Sequence, residues 1–428
     1  MAARTVEPIT AKVVIDSYAD IRAALMNQDL SRTFDKRTYA EGNVRDGVVS
    51  IMHGPAHRDR RRLENTQFRP KELQLYEQTL FPPLVESMVD EAALAGEVDL
   101  FALGERLSVV LAARRAGFDL DDDDHAGRDE LAAFVDQFSQ ASAILDAKDP
   151  DAIRASVREA HRDFFDRFGE PSIARRVAAL EAFNRGDIAE RELPHDILTN
   201  LLRHREQEEL GLSDESVLVR EAGTYLQGGT HTSAQTLVNA IDLLIESRDA
   251  GADFFDRARE DRSFAQRCMH ETLRLRPTTP EMKRRAENAT TVAGIEIPQG
   301  ALVVLDIMKG NRDTKLFGAD ADVFNPNRDV FARTPLWGLS FGAGPHICPG
   351  FKVAGGQQQP PDHGPLIDDH LFGLVANMIQ TVAQHNPSQH PSKPRTRDDR
   401  TERFTRWSDY WIVFENDDEN PDQQELTQ

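Results

Sequence analysis

A mainly α-helical fold with a small β-rich part is predicted for this chain of 428 residues, on three observations. Apolar residues recur at three-and-four spacing over roughly residues 15 to 285. One helical pattern runs without a stop from Ser213 to about Glu246. After Pro277 the texture changes to short β-branched runs.

The composition agrees with a globular chain, at 39 % apolar and 29 % charged residues with 22 Phe. A net charge of −21 repels phosphate backbones and anionic membrane surfaces, so neither nucleic acid nor membrane is an expected partner. Two cysteines, Cys268 and Cys348, are too few for a disulfide framework or a four-cysteine metal site, which fits a reducing cytoplasm. The start MAARTVEPITAKVV lacks the apolar core of a leader, and no stretch approaches the ~18 apolar residues of a spanning helix, so a soluble, untargeted protein is expected.

In the first half, Leu73, Tyr76, Leu80, Leu84, Val85 and Met88 mark a helical face. Stops are expected at Gly96, at Gly117 before the acid run Asp121 to Asp124, at Gly169 with Pro171, and at Gly211. The acid run reads as a solvated turn. Phe68, Phe81, Phe164, Phe165 and Phe168 read as core, and Cys268 as a small buried apolar residue.

Ser213 is the expected N-cap of the long helix, with Glu215 in its first turn. Inside that helix stands Gln227-Gly228-Gly229-Thr230-His231-Thr232-Ser233. Two adjacent glycines cost roughly 1 kcal/mol each against Ala, which marks a kink or a group pressing on the backbone.

Beyond Pro277, residues 290–297, a Pro298-Gln299-Gly300 turn and residues 301–308 read as a hairpin-like pair. An irregular stretch, 311–340, leads into Phe341-Gly342-Ala343-Gly344-Pro345-His346-Ile347-Cys348-Pro349-Gly350. The glycines and prolines make a turn that aims one sulfur at a fixed point. The helical run starting at Phe351 is expected to favour its thiolate, the form that binds metal.

That loop matches, at every fixed position, the F-G-x-G-x-H-x-C-x-G signature, and the chain thereby resembles the cytochrome P-450 family. The resemblance implies a P-450 fold over residues 1–414 as a single haem domain, with 415–428 a polar tail. Haem b (iron protoporphyrin IX) would sit between the long helix and the cysteine loop. Phe341, His346 and Gly350 belong to the haem-binding set by this match, and Cys348 is the implied thiolate ligand of the metal.

Further matches spread the resemblance from about residue 50 to 355. Glu271-Thr272-Leu273-Arg274 resembles the E-x-x-R pair, with Arg328 as its third member. His57 and Arg61 resemble the H-x-x-x-R clamp on the haem propionates. Arg284 takes the other propionate position, with Arg285 its rival. Gly228 and Gly229 resemble the oxygen-binding groove, and Thr232 its alcohol. The acid expected before that alcohol is replaced by His231. His231 either relays protons, its unperturbed pKa being about 6.5, or turns outward to a structural partner. On the relay reading, His231→Asp restores the family's acid.

A second departure follows the cysteine loop. Gly355-Gly356-Gln357-Gln358-Gln359-Pro360-Pro361 interrupts a helix that resumes near Leu366, either as a loop near the electron-entry face or by neutral drift. His363, His370, His385 and His390 fall at unrelated spacings and are not read as a metal tract.

The resemblance implies a monooxygenase inserting one oxygen atom of O2 into a small organic substrate. With no flavin or iron–sulfur motif in the chain, electrons would come from a ferredoxin or flavodoxin type partner, steered by Arg58, Arg60, Arg62 and Lys352. A peroxide-driven peroxygenase and a non-catalytic haem sensor are the alternatives. The substrate itself is not readable from the residues.

Overall fold

The computed structural model describes residues 9–32, 45–120, 124–142, 144, 147–330, 334–360, 364–398 and 406–414. Asp121 to Asp123, His363 and the tail 415–428 lie outside the described residues. The longer helices are α1 (Tyr18–Met26), α2 (Gly54–Glu64), α3 (Phe81–Leu94), α4 (Leu100–Ala116), α5 (His125–Ser142), α6 (Pro150–Phe164), α7 (Glu170–Arg185), α8 (Glu215–Asp249), α9 (Arg262–Leu275) and α10 (Leu374–Gln384). The strands are β1 (Lys12–Ile15), β2 (Leu30–Ser31), β3 (Glu97–Asp99), β4 (Glu281–Ala286), β5 (Thr290–Val292), β6 (Ile295–Ile297), β7 (Leu302–Asp306), β8 (Pro387–Gln389), β9 (Arg395–Arg397) and β10 (Trp407–Phe414). Among the described residues, no helix is long and apolar enough to cross a membrane.

Helix α8 spans 35 residues, and its core positions, such as Leu237, Ile241 and Leu244, are fully buried. Truncating any of these to Ala would cost about 2–5 kcal/mol. The helix is capped by Asp214, whose carboxylate accepts from Ser216 N at 2.8 Å, not by Ser213 as expected. The cap lies one residue later because a cap oxygen must reach the amide two or three residues on. Helix α4 lies against α8 at Gly104, where a Cβ would stand 3.1 Å from the Ala234 Cα. Helices α3, α9 and α10, with strand β10, complete this apolar cluster.

The expected stops at Gly96 and Gly117 are present; Gly117 ends α4 in the left-handed conformation. The stop at Gly169 and Pro171 is not. A π-turn over Phe165–Gly169 joins α6 to α7, with Pro171 in the first turn of α7. There Pro's missing N–H removes no needed bond, and the π-turn relieves the ring's clash with the preceding turn. Phe164 and Phe168 are core as expected, packed edge-on against Phe134 at 5.6 and 6.1 Å.

The sheet nearest the site has the order β1-β7-β4-β2, with β1 parallel to β7 and the other pairs antiparallel. The expected pairing of 290–297 with 301–308 is corrected. Ala293 and Gly294, both at positive φ, make a two-residue turn inside the first run, so β5 and β6 pair with each other. Strand β7 pairs instead with β4, Arg284 opposite Val303. A separate sheet, β3-β10-β8, with β9 also on β10, backs the helices.

Candidate functional site

A cavity of about 450 Å³ opens between α8, the cysteine loop, α2 and β4. Apart from Arg285, every candidate for holding haem or oxygen borders it, although they come from positions 57 to 350.

The cysteine loop is held by its own backbone. Cys348 N donates to Phe341 O at 2.9 Å, while Gly342 and Gly344 turn at φ +71° and +70°. A Cβ on Gly344 would meet Leu25 O at 2.7 Å, so only glycine fits against α1. The Phe341 ring lies edge-on to Trp337 at 5.6 Å. Burial pushes the Cys348 thiol above its ordinary range, against the Gly350 amide and Arg61. The following helix, Phe351–Gly355, is only five residues long, and the expected lowering by its N-terminus does not prevail. A bonded metal would deprotonate the sulfur outright.

One end of the cavity is strongly cationic. Arg61 donates to Ile347 O, tying α2 to the cysteine loop. The His57 and His346 rings stand 4.1 Å apart. Desolvation, then Arg61, lowers His57 to about 4; desolvation, then His57, Arg32 and Arg284, lowers His346 to about 2. Neighbouring charges all act in one direction here, as in a pocket built for an anion. Arg284 lines the cavity, whereas the Arg285 guanidinium approaches Gly300, as expected for successive residues of a strand.

Above the sulfur, α8 is unbroken through its glycine pair. A Cβ on Gly228 would meet nothing within 4 Å, and Gly228 and Thr232 are exposed toward the cavity from an otherwise buried stretch. Gly229 instead presses on α4, its Cβ position 3.1 Å from Ala112. Thr232 Oγ1 donates to Gly228 O at 2.7 Å, which leaves its oxygen free to accept. His231 turns to α4, with Nδ1 3.1 Å from Glu105 Oε1 and the ring edge-on to Phe101 at 5.5 Å. Glu105 was not foreseen: it lies 126 residues away on a helix buried along most of its length, and no local signal marks it.

Behind the site, Glu271 pairs with Arg274 through two bonds of 2.7 Å and accepts from Arg328 Nε at 3.1 Å. Arg274 also donates to Asn311 O at 2.8 Å and Ala321 O at 2.6 Å, tying α9 to the irregular stretch.

One expectation is corrected by burial. Arg60 is 1 % exposed and bonded to Glu221 at 2.9 Å and to Leu210 O, so it is no part of a docking face; Arg58 and Arg62 are exposed. Phe68, half-buried against the apolar cluster as expected, also borders the cavity, with the Arg115 guanidinium 5.1 Å from its ring centre. The remaining histidines are ordinary partners of other groups, His370 of Gln266, His385 of Asp90 and His390 of Glu97. No metal-ligating cluster of three or more His, Cys, Asp or Glu occurs among the described residues.

The chain after the cysteine helix leaves and returns at one point. Gln357 N donates to Leu371 O at 2.7 Å, and a Cβ on Gly373 would stand 2.5 Å from Gly356 N. The carbonyls freed by the broken helix are met from α9. The two N–H groups of Gln266 Nε2 are shared among Gly355 O, Gln357 O, Leu371 O and Phe372 O, all within 3.1 Å, and His270 Nε2 lies 2.8 Å from Gly355 O.

Residues 173–357 match the family model described as Cytochrome P450. The chain is 26 % identical over 342 residues to the erythromycin C-12 hydroxylase of Saccharopolyspora erythraea, covering 79 % of this chain and 77 % of that one. It is 27 % identical over 368 residues to the pulcherriminic acid synthase of Bacillus subtilis, covering 82 % of each. The crystal structure of CalO2 superposes with a TM-score of 0.72 at 19 % identity, over 94 % of this chain and 90 % of that one.

Proposed function

The chain belongs to the cytochrome P450 family, and on that premise we propose that it is a monooxygenase that inserts one oxygen atom of O2 into a small organic substrate. One observation carries the reading: Cys348 and the open groove at Gly228 and Thr232 border one cavity with a cationic end. The residues fit haem b. Cys348 would hold the iron, His57, Arg61, Arg284 and His346 the two propionates, and Gly228 leaves room that a side chain would fill. Bound haem supplies the reductive activation of O2.

The chain's own residues supply the rest. Arg61 fixes the cysteine loop, the Phe341 ring anchors it on Trp337, and the Thr232 oxygen offers an acceptor beside the groove. Electrons come from a separate ferredoxin or flavodoxin type donor at the face carrying Arg58 and Arg62. The test compares product formation with a reductase pair against that with hydrogen peroxide alone. Turnover only with the reductase pair supports the monooxygenase; equal or faster turnover with peroxide overturns it in favour of a peroxygenase.

A further inference from the structure

We infer that Glu105 is the acid partner of His231, and that the acid expected before Thr232 is here divided between a carboxylate on α4 and an imidazole on α8. The inference rests on the groove reading above and assigns it a positioning residue.

Three observations meet at this pair. The Nδ1–Oε1 distance is 3.1 Å, with the two side chains only 6 % and 15 % exposed. Phe101, one turn before Glu105 on α4, stands edge-on to the imidazole and fixes its plane. His231 Nε2 is buried with no hydrogen-bond partner among the described residues, although the residue borders the cavity. The close approach of α4 at Gly104 brings the carboxylate within reach.

A carboxylate accepting from Nδ1–H fixes the neutral ring with its lone pair on Nε2. Once a small movement of the ring uncovers Nε2 to the cavity, a hydronium that gives it a proton leaves as water, and the imidazolium formed beside the carboxylate is a pair without net charge. Passing that proton to a second cavity water, which leaves as hydronium, returns the starting state.

The pairing reverses the expectation for His231→Asp. Aspartate there would face Glu105 across a short gap, and two buried carboxylates repel. His231→Asp alone should therefore be poorer than His231→Gln, and Glu105→Lys combined with His231→Asp should recover part of the loss.

The experiment uses haem-loaded protein and three readouts: product per reducing equivalent, melting temperature, and the imidazole nitrogen-15 shifts of His231 in the diamagnetic ferrous carbonyl form. Glu105→Gln should lower product per reducing equivalent on the order of tenfold, as His231→Gln does, with the double variant no worse than either. Its His231 signals should move from one tautomer to a mixture. If Glu105→Gln does not fold, Glu105→Asp, which keeps the charge and lengthens the gap, should give an intermediate loss and a partial tautomer shift.

Wild-type coupling together with an unchanged tautomer in either folded Glu105 variant would overturn the inference. Thr232→Ala separates this failure from that of the groove reading. If Thr232→Ala diverts electrons to peroxide and the Glu105 variants do not, only the inference fails. If Thr232→Ala leaves coupling intact, the groove reading itself is wrong.

Discussion

Arg60 of α2 donates to Glu221 of α8 at 2.9 Å, with both side chains sealed from solvent and a second carboxylate, Glu64, facing the same guanidinium at 3.9 Å. Tyr225 donates to Glu64 at 2.6 Å and Val49 N to Glu221 at 2.8 Å. One oxygen of each carboxylate has no hydrogen-bond partner among the described residues. Two buried acids share one cation, so one of them keeps its proton near neutrality.

That arrangement gives an unusual sign to the pH dependence of stability. Burial pushes Glu221 up to about 7 despite Arg60, and burial with Glu221 pushes Glu64 well above the usual carboxylate range. The folded state thus holds a proton that the unfolded chain has released above its ordinary 4.5. This contribution to stability is present at low pH and is lost as pH rises through about 7. Histidines held neutral by burial, His57, His161, His270 and His346, give an opposite slope below about 6.5, which the wild type and a Glu221 variant share. Urea melts between about pH 5 and about pH 8 should therefore show Glu221→Gln gaining stability relative to the wild type as pH rises. A difference between the two that does not change with pH would refute the assignment.

Glu271→Ala should fail to retain haem instead of merely slowing turnover. It strands Arg274, which is 0 % exposed, and removes the acceptor of Arg328 and of Asn325 N. Breaking a buried pair from one side costs about 3–5 kcal/mol, a large part of the ~5–15 kcal/mol that holds a domain folded. Haem content and melting temperature check it; a loaded, stable Glu271→Ala would contradict it.

Cys348→Ala should lose the red-shifted Soret band of a thiolate-ligated ferrous carbonyl while keeping its helical circular dichroism. The loop's shape comes from the Cys348 amide and the glycines, neither of which the substitution changes. A retained band would place the metal ligand elsewhere.

Arg62→Glu and Arg60→Ala should separate cleanly. Arg62 is 83 % exposed, so its reversal should slow electron transfer at low salt, and less at high salt, with an unchanged melt. Arg60→Ala should instead lower the melting temperature, because it leaves Leu210 O without its side-chain donor and the buried Glu221 carboxylate without its cation. Stopped-flow reduction across a salt series, beside thermal melts, reads both; an unchanged rate for Arg62→Glu removes this face as the docking site.

Gln266→Ala should destabilise the protein through the loop beyond the cysteine helix. Gly355 O keeps His270 and Leu371 O keeps the Gln357 amide, but Gln357 O and Phe372 O lose their side-chain donor, and each buried unsatisfied group costs about 1–3 kcal/mol. Proteolysis within 357–373 should accelerate with it; wild-type resistance would show that the staple is dispensable.

The parts legible in the sequence are those where chemistry is carried by local spacing. The cysteine loop announces itself because glycines must sit where φ is positive and where Leu25 O approaches, and those demands are written next to Cys348. Glu271 and Arg274 are one helical turn apart, so their pairing follows from period alone. Long-range partners were legible only where the family resemblance named them, as with Arg328 beside Glu271. Nothing near Glu105 marks it as the group opposite His231, and Arg60 looks identical to Arg58 and Arg62 until the face of α2 that packs on α8 is known. Pairing of β7 with β4 was missed for the same reason, since a two-residue turn at Ala293 and Gly294 competes with the Pro298-Gln299-Gly300 turn for the same neighbours.

The close approach of Gly356 and Gly373 means that the segment between them enters and leaves the molecule through a single doorway, and the frame on either side does not depend on its length. Evolution can lengthen, shorten or exchange that segment as freely as a flag on a fixed pole. An engineer can do the same: a reporter domain spliced between the two glycines, with the bonds from Gln266 kept at both ends, would sit beside the cysteine helix.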